Sequence, residues 1–472
     1  MSDGEPPVPD TRVLAVASHV VSGYVGNKIA VFSMQSLGCD VAALNTVQFS
    51  NHTGYRQFTG TRVSASEITD LYRGLKQSYL DDFDMMLSGY VPGAPALEAV
   101  GEIAKELKEK AQARGKPGSF FWVLDPVMGD NGSLYVAQDV VPVYKGLVQY
   151  ADLILPNQFE AELLSEVKIV DMPSLTRAIS VLHERYAIPH IIITSVSLPD
   201  AATTVSSTMP NSVPGSSAPT PTPQEEGQGQ SQPPRTKTLS VVGSTMTSAR
   251  QPRAFQISFP AIDCYFSGTG DMFSALMLVR MREAVYNTEG DLTERESWLS
   301  DDSVDALDLP LAKAAEKVLA SMHEVLTKTA EGMKGRVQRA KGFVDEQLQR
   351  EKAMTDGVNG CGHANGNGTT DQDGHVDKKP RLDSTQTTTT TTTTNGNSDG
   401  GEDEEKTEER IKEEEERRRR KQVEEAEKEE EVQARKRLHL MKSKAAELRL
   451  VRHLDSLRHP KVEFRARRIE CS

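Results

Sequence analysis

Apolar residues in this chain fall into short unbroken runs separated by longer stretches with helical spacing. Val13-Leu14-Ala15-Val16-Ala17 reads as a buried strand. Gly23-Tyr24-Val25-Gly26-Asn27 then turns into a helix over residues 28–37, ended by Gly38. Residues 41–47 read as a second strand, and a helix near 66–80 has Ser64 or Ser66 available as its cap. A short strand at 84–88 leads to Gly89-Tyr90, and 96–114 is a long amphipathic helix stopped by Gly115-Lys116-Pro117-Gly118. Residues 120–124 form a continuous apolar strand running into Asp125-Pro126. Residues 140–150 read as helix, 153–155 as strand, 158–165 and 174–186 as helices, and 191–193 as another buried strand. Strand character resumes at 239–242 and 254–259, and 311–330 is a helix with Ala314, Val318, Met322, Val325 and Leu326 at helical spacing.

This β-α alternation with non-alternating strands predicts an α/β fold, a mainly parallel central sheet with helices on both faces. In such sheets ligands bind outside the carboxyl ends of the strands. Polar residues recur there: Ser18, Tyr90, Asp125, Asn157, Thr194 and Ser195 each follow or end a predicted strand.

Composition sets the limits of the core. Only 37% of the 472 residues are hydrophobic, and they concentrate before about position 330. The expected organisation is a flexible N-terminus at 1–12 and a catalytic domain at 13–345, broken by a disordered Pro/Ser/Thr/Gln-rich insertion at 199–238. Residues 346–440 read as a low-complexity and charged insertion, disordered or an exposed helix, and 441–472 as a segment returning to the domain. Within that last segment Val462, Phe464 and Ala466 alternate with charged residues like an edge strand.

A net charge of −13 argues against nucleic-acid binding by the whole protein. Cys39, Cys264, Cys361 and Cys471 show no metal-ligand spacing and fit reduced thiols in a cytoplasmic protein. No apolar run reaches membrane-spanning length, so no membrane partner is expected. Lys378-Lys379-Pro380-Arg381-Leu382 permits a nuclear import reading, although a chance basic cluster is the simpler one.

The chemistry concentrates in Phe266-Ser267-Gly268-Thr269-Gly270-Asp271, followed at once by an apolar helical run. Glycines there let backbone N–H groups converge at a helix N-terminus, which is an anion site. A carboxylate inside an anion site makes sense if Asp271 takes a proton from a hydroxyl that attacks a phosphoryl group held by the loop. The plainer reading is an Asp that merely caps a helix after a Gly turn. Asp125-Pro126-Val127-Met128-Gly129-Asp130 offers two carboxylates for Mg²⁺, or else an ordinary turn. Asn157-Gln158-Phe159-Glu160 puts an amide and a carboxylate on a first helical turn, or else forms a capping box. The P-loop and protein-kinase motifs are missing.

Phe266–Asp271 resembles the anion hole of the ribokinase superfamily. Residues 18–27 (SHVVSGYVGN), 47–55 (VQFSNHTGY) and 156–164 (PNQFEAELL) resemble pyridoxal kinases of the eukaryotic type, as do 141–145 and 193–195. The resemblance covers about 13–198 and 239–335, and weakly 445–470. It implies a ribokinase-like three-layer sandwich that phosphorylates the 5′-hydroxymethyl group of pyridoxal, pyridoxine and pyridoxamine with ATP. Asp271 would be the base, and the backbone of Gly268, Thr269 and Gly270 would stabilise the migrating phosphoryl group. Ser18, Thr53, Tyr90 and Tyr135 would meet the pyridine substrate or its flap. Asp125, Asn157, Thr194, Ser195 and Thr269 would serve the nucleotide, and Asp130, Glu160 and Thr194 would surround Mg²⁺ and an activating monovalent cation, K⁺ or Na⁺. Homodimers are usual in the family. Three departures stand out: Leu155 replaces the usual Thr, the loop after Asp130 is short, and the 199–238 insertion lies near the nucleotide side. The competing readings are another kinase of the superfamily, acting on a sugar or hydroxymethylpyrimidine, and a non-catalytic scaffold. Intact Asp271, Gly268, Gly270, Asp125 and Asn157 argue against the scaffold.

Overall fold

The computed structural model describes residues 6–198, 238–359 and 401–469. A threonine run at 387–394, the 378–382 cluster and the 199–238 insertion, apart from Thr238, lie outside the described residues. In chain order the elements are β1 (Arg12–Val20), α1 (Asn27–Ser36), β2 (Asp40–Phe49), β3 (Gly60–Arg62), α2 (Ala65–Gln77), β4 (Met85–Ser88), α3 (Ala94–Ala113) and β5 (Phe121–Leu124). A small hairpin follows, β6 (Gly129–Asp130) and β7 (Ser133–Leu134), then α4 (Val140–Leu147), β8 (Leu153–Ile154), α5 (Gln158–Ser165), α6 (Met172–Tyr186) and β9 (His190–Val196). The second part carries β10 (Thr238–Met246), β11 (Pro252–Pro260), α7 (Thr269–Tyr286), α8 (Pro310–Glu331), α9 (Met333–Asn359), α10 (Gly401–Ala445), α11 (Leu454–Arg458) and β12 (Arg467–Arg468).

Ten strands form one sheet in the order β12-β11-β10-β9-β8-β5-β4-β1-β2-β3. The six from β9 to β2 are parallel, while β3 at one edge and β10, β11 and β12 at the other are antiparallel. Alternate residues of each central strand enter opposite cores. Val13, Ala15, Phe121 and Val123 join the core under α1, α7 and α8, whereas Leu14, Val16, Trp122 and Leu124 join the core under α2 to α6. Both faces are covered, which explains why these strands read as unbroken apolar runs.

The chain divides into two compact units, Met1–Arg336 with Ser443–Ser472, and Val337–Lys442. In the first unit Val8 is buried in the core, so the described part of the 1–12 segment packs on the domain instead of hanging free. The second unit contains most of α9, which begins before the 346–440 stretch expected as disordered or an exposed helix, and most of α10. The alternating residues expected as an edge strand do not pair. Phe464 turns in against Phe259 and His323, the Ala466 N–H donates to Glu316, and only Arg467–Arg468 pairs with β11.

Candidate active site

Gly268, in the loop expected to hold an anion, is fixed by geometry. Gly268 caps α7 with φ of 80°, and a Cβ there would strike the Tyr24 carbonyl oxygen. Helix α7 begins without a side-chain cap. Its first backbone bond runs from the Met272 N–H to Gly268 O at 3.0 Å, which leaves the N–H groups before it to outside acceptors. Tyr24 belongs to the turn after β1, which Asn27 ties down by donating from Nδ2 to the carbonyls of Leu44 and Ala15. Gly26 in the same turn has φ of 54°, and any side chain there would collide with Ser18. Its backbone also hydrogen-bonds the Asp271 carboxylate.

A cavity of about 590 Å³ opens beside this helix end. It is lined by Gly268, Thr269, Gly270 and Asp271, by Asp125, Asn157, Thr194 and Ser195, and by Asp130, Glu160 and Tyr135. The polar wall faces apolar lining from Leu239, Val241, Phe259, Leu319, Met322 and Leu326. No Lys or Arg side chain is among the described residues that line it.

Carboxylates dominate the polar wall, and Asp125 and Glu160 among them are buried. Asp125 is raised to about 7, first by burial and then by the Asp271 charge, with the Ser274 hydroxyl opposing. Burial likewise raises Asp271 against the Gly26 hydrogen bond. Glu160 is raised to about 8 by burial and then by Asp125, despite three backbone N–H donors. Two of those donors are Met128 N–H to Oε1 at 2.8 Å and Asn157 N–H to Oε2 at 2.9 Å. Asn157 in turn accepts from Glu160 N–H at 2.9 Å, so the capping box is present, and its Nδ2 donates to Gly129 O at 2.7 Å. Both residues thus fix the hairpin loop and still line the cavity. Asp130 is exposed and accepts from the N–H and Nδ2 of Asn131. Thr194 bridges to Asn157 across the sheet, and Ser195 is held at φ of 54°, an uncommon conformation for a residue with a side chain.

Ser18, Thr53 and Tyr90 are not among the residues that line the cavity. Ser18 does not follow β1 but lies within it, at a register shift between Ala17 and His19, in contact with Gly26. Tyr90 follows Gly89, where a Cβ would lie 3.9 Å from Asp271 Oδ1. Thr53 opens a single helical turn, and the next residue, Gly54, approaches Tyr265 on the cavity rim.

Ser274 was not singled out from the sequence. Its hydroxyl donates to Asp125 Oδ2 at 2.8 Å from one turn beyond Asp271. A spacing of three on a predicted helix was the available signal.

The phosphomethylpyrimidine kinase family model matches residues 99–229. Pyridoxal kinase of Homo sapiens is 32% identical over 356 residues, 73% of this chain and 93% of that protein. Pyridoxal kinase of Sus scrofa is 34% identical over 357 residues, 73% of this chain and 88% of that protein. Among solved structures, the pyridoxal kinase of Leishmania donovani in complex with ADP and pyridoxamine has a TM-score of 0.52 at 27% identity, covering 68% of this chain and 88% of that one. Shared identity at this level across nearly the whole of each relative, on a common fold, means that the chain belongs to the pyridoxal kinase family.

Proposed function

We propose that this enzyme transfers the γ-phosphoryl group of ATP to the 5′-hydroxymethyl group of pyridoxal, pyridoxine and pyridoxamine. The observation that carries the reading is Asp271 itself, a carboxylate on the first turn of a buried helix, which lines a nucleotide-sized cavity and sits beside Gly89, the neighbour of Tyr90, and Gly26, which touches Ser18. Phosphoryl transfer asks mainly for positioning and charge stabilisation. Asp271 accepts the proton of the attacking hydroxyl as the oxygen–phosphorus bond forms. Its upward shift brings it nearer the operating pH, where a base works best. The free N–H groups of Gly268, Thr269 and Gly270 receive the charge on the migrating phosphoryl group. Ser18, Thr53 and Tyr90 hold the pyridine substrate, and Tyr135 closes over it. Asp125, Asn157, Thr194 and Ser195 orient the nucleotide, and the apolar wall takes the adenine ring.

A triphosphate entering this cavity meets Asp125, Asp130, Glu160 and Asp271 and no Lys or Arg among the described lining residues. That charge imbalance, with carboxylates raised by burial, fits a site that takes up a cation together with the nucleotide. Mg²⁺ suits it, because that ion needs few protein oxygens and keeps several waters. Asp130, Glu160 and Thr194 would hold it, and it would neutralise phosphate charge. K⁺ or Na⁺ beside Thr194 belongs to the proposal on the family resemblance alone, and Leu155 supplies no hydroxyl there. Homodimeric assembly and a cytoplasmic location are proposed on the same ground. Among the described residues, no helix is long and apolar enough to cross a membrane.

The test is a purified ATP-dependent assay with the three vitamers, ribose and hydroxymethylpyrimidine. Phosphorylation of the vitamers with little turnover of ribose supports the reading. Preferential turnover of ribose or hydroxymethylpyrimidine overturns it.

A further inference from the structure

The C-terminal segment carries a carboxylate to the substrate-side loops. Leu448 and Leu450 are fully buried in the core, and Ala446 beside them is buried too, which fixes the backbone on both sides of Glu447. Glu447 Oε2 accepts from the Tyr24 N–H at 3.0 Å. Its Oε1 accepts from the Tyr55 hydroxyl at 3.1 Å and lies 3.3 Å from His52 Nε2. A Cβ on Gly23 would come within 2.8 Å of Oε1, so the turn after β1 is seated directly on this group. One carboxylate therefore joins two loops that are far apart in sequence.

Each loop leads to the reacting centre. The Tyr24 carbonyl packs on Gly268, the cap of the anion-site helix, and Gly26 touches Ser18 and bonds Asp271. His52 and Tyr55 flank Thr53 and Gly54, the latter facing Tyr265 on the cavity rim. Burial opposes ionisation of Glu447, but the His52 bond and charge, the Tyr24 N–H and the Tyr55 hydroxyl outweigh it and hold the carboxyl below its ordinary value. Burial and then Glu447 raise the Tyr55 phenol, which keeps it a donor.

We infer that Glu447 is a positioning residue for the vitamer side of the site, clamping the Gly23–Gly26 turn to the His52–Tyr55 turn. The inference rests on the proposed vitamer kinase activity. It makes the segment beyond α10 part of substrate recognition.

Full-length Glu447→Gln, Glu447→Ala and Tyr55→Phe are to be compared with the unmodified enzyme in two measurements. The first is the pair of KM values for pyridoxal and ATP. Loss of hydrogen bonds to a charged group is expected to raise the pyridoxal KM about tenfold in Glu447→Ala, with a smaller rise in Glu447→Gln and Tyr55→Phe and an ATP KM within about twofold. The second is amide hydrogen exchange without ligand, in which Tyr24 is expected to exchange about tenfold faster in Glu447→Ala. Equal rises in both KM values, or unchanged Tyr24 exchange, would overturn the clamp. If Glu447→Ala does not fold, Tyr55→Phe decides, since it removes a single hydroxyl. Failure of the unmodified enzyme to phosphorylate any vitamer would defeat the functional reading, while hydrogen exchange would still report on the clamp.

Discussion

Helices α7 and α10 both lack an apolar stripe, for opposite reasons. In α7 every residue from Met272 to Met281 is buried, so the helix is surrounded by protein. In α10 every described side chain from 410 to 436 is exposed. What supports α10 along its length is pairing four residues apart, as in Glu414–Arg418 at 2.8 Å, Glu416–Arg420 at 2.6 Å and Glu424–Lys428 at 2.6 Å. Such pairs contribute roughly 0.2–0.5 kcal/mol each. The contrast shows what a helix needs in order to carry chemistry. Free N–H groups occur at any helix start. To serve as a phosphate site they must belong to a helix that cannot shift, and close packing around α7 supplies the rigidity that the proposed role requires.

The sharpest break in the comparison is Asp271→Asn at the fixed end of α7. Loss of a general base is expected to cut kcat by roughly 10²–10⁴-fold. The melting temperature should stay level or rise, because burial opposes the Asp271 charge. Steady-state kinetics beside a thermal melt checks both halves. Turnover equal to that of the unmodified enzyme would remove Asp271 from the mechanism.

Next in size is a pair of truncations made one on each helix. Leu276 is fully buried in α7, whereas Val423 in α10 is 51% exposed. Leu276→Ala should cost about 2–5 kcal/mol through lost burial and a residual cavity. Val423→Ala should change stability by less than about 0.5 kcal/mol. Urea unfolding of the full-length chain measures the two, and equal losses would mean that α10 is packed in solution.

The same physics decided what could be read from the sequence. The central strands were legible because a strand covered on both faces has to be apolar throughout, as in 13–17 and 120–124. The start of helix α7 was legible because Gly268 is the residue type the Tyr24 contact permits. The long-range partners were not legible. Nothing in Ala446-Glu447-Leu448 announces a reach of more than 420 positions back to Tyr24. The edge strand was misplaced because alternation at 462–466 records Phe464 packing on Phe259, while pairing is confined to Arg467–Arg468. Helix α9 has weak apolar patterning, so its start at Met333 was missed. Asp125, Asn157 and Glu160 were found as a set, yet the capping box that fixes Asn157 and Glu160 means that their types alone did not separate support from chemistry.

The smallest effect expected tests how α7 tunes the acids beside it. Ser274 on α7 donates to Asp125, and that bond favours the ionised form. Asp125 is raised in the folded enzyme to about 7, so the folded state binds its proton more tightly than the unfolded chain does. Stability of the unliganded enzyme is therefore expected to fall as pH climbs from the ordinary carboxylate range to about 7. Removing the donor in Ser274→Ala should raise Asp125 further, extending that fall to higher pH. The acid limb of kcat/KM should move up by about one pH unit, equivalent to about 1.4 kcal/mol. Asp125→Asn serves as the control, since it should make this part of the stability profile shallower and leave only the slope that Glu160 and Asp271 contribute. A Ser274→Ala profile superimposed on that of the unmodified enzyme would show that α7 holds the phosphate end in place without adjusting the charge of its neighbour, and would confine its role to rigidity.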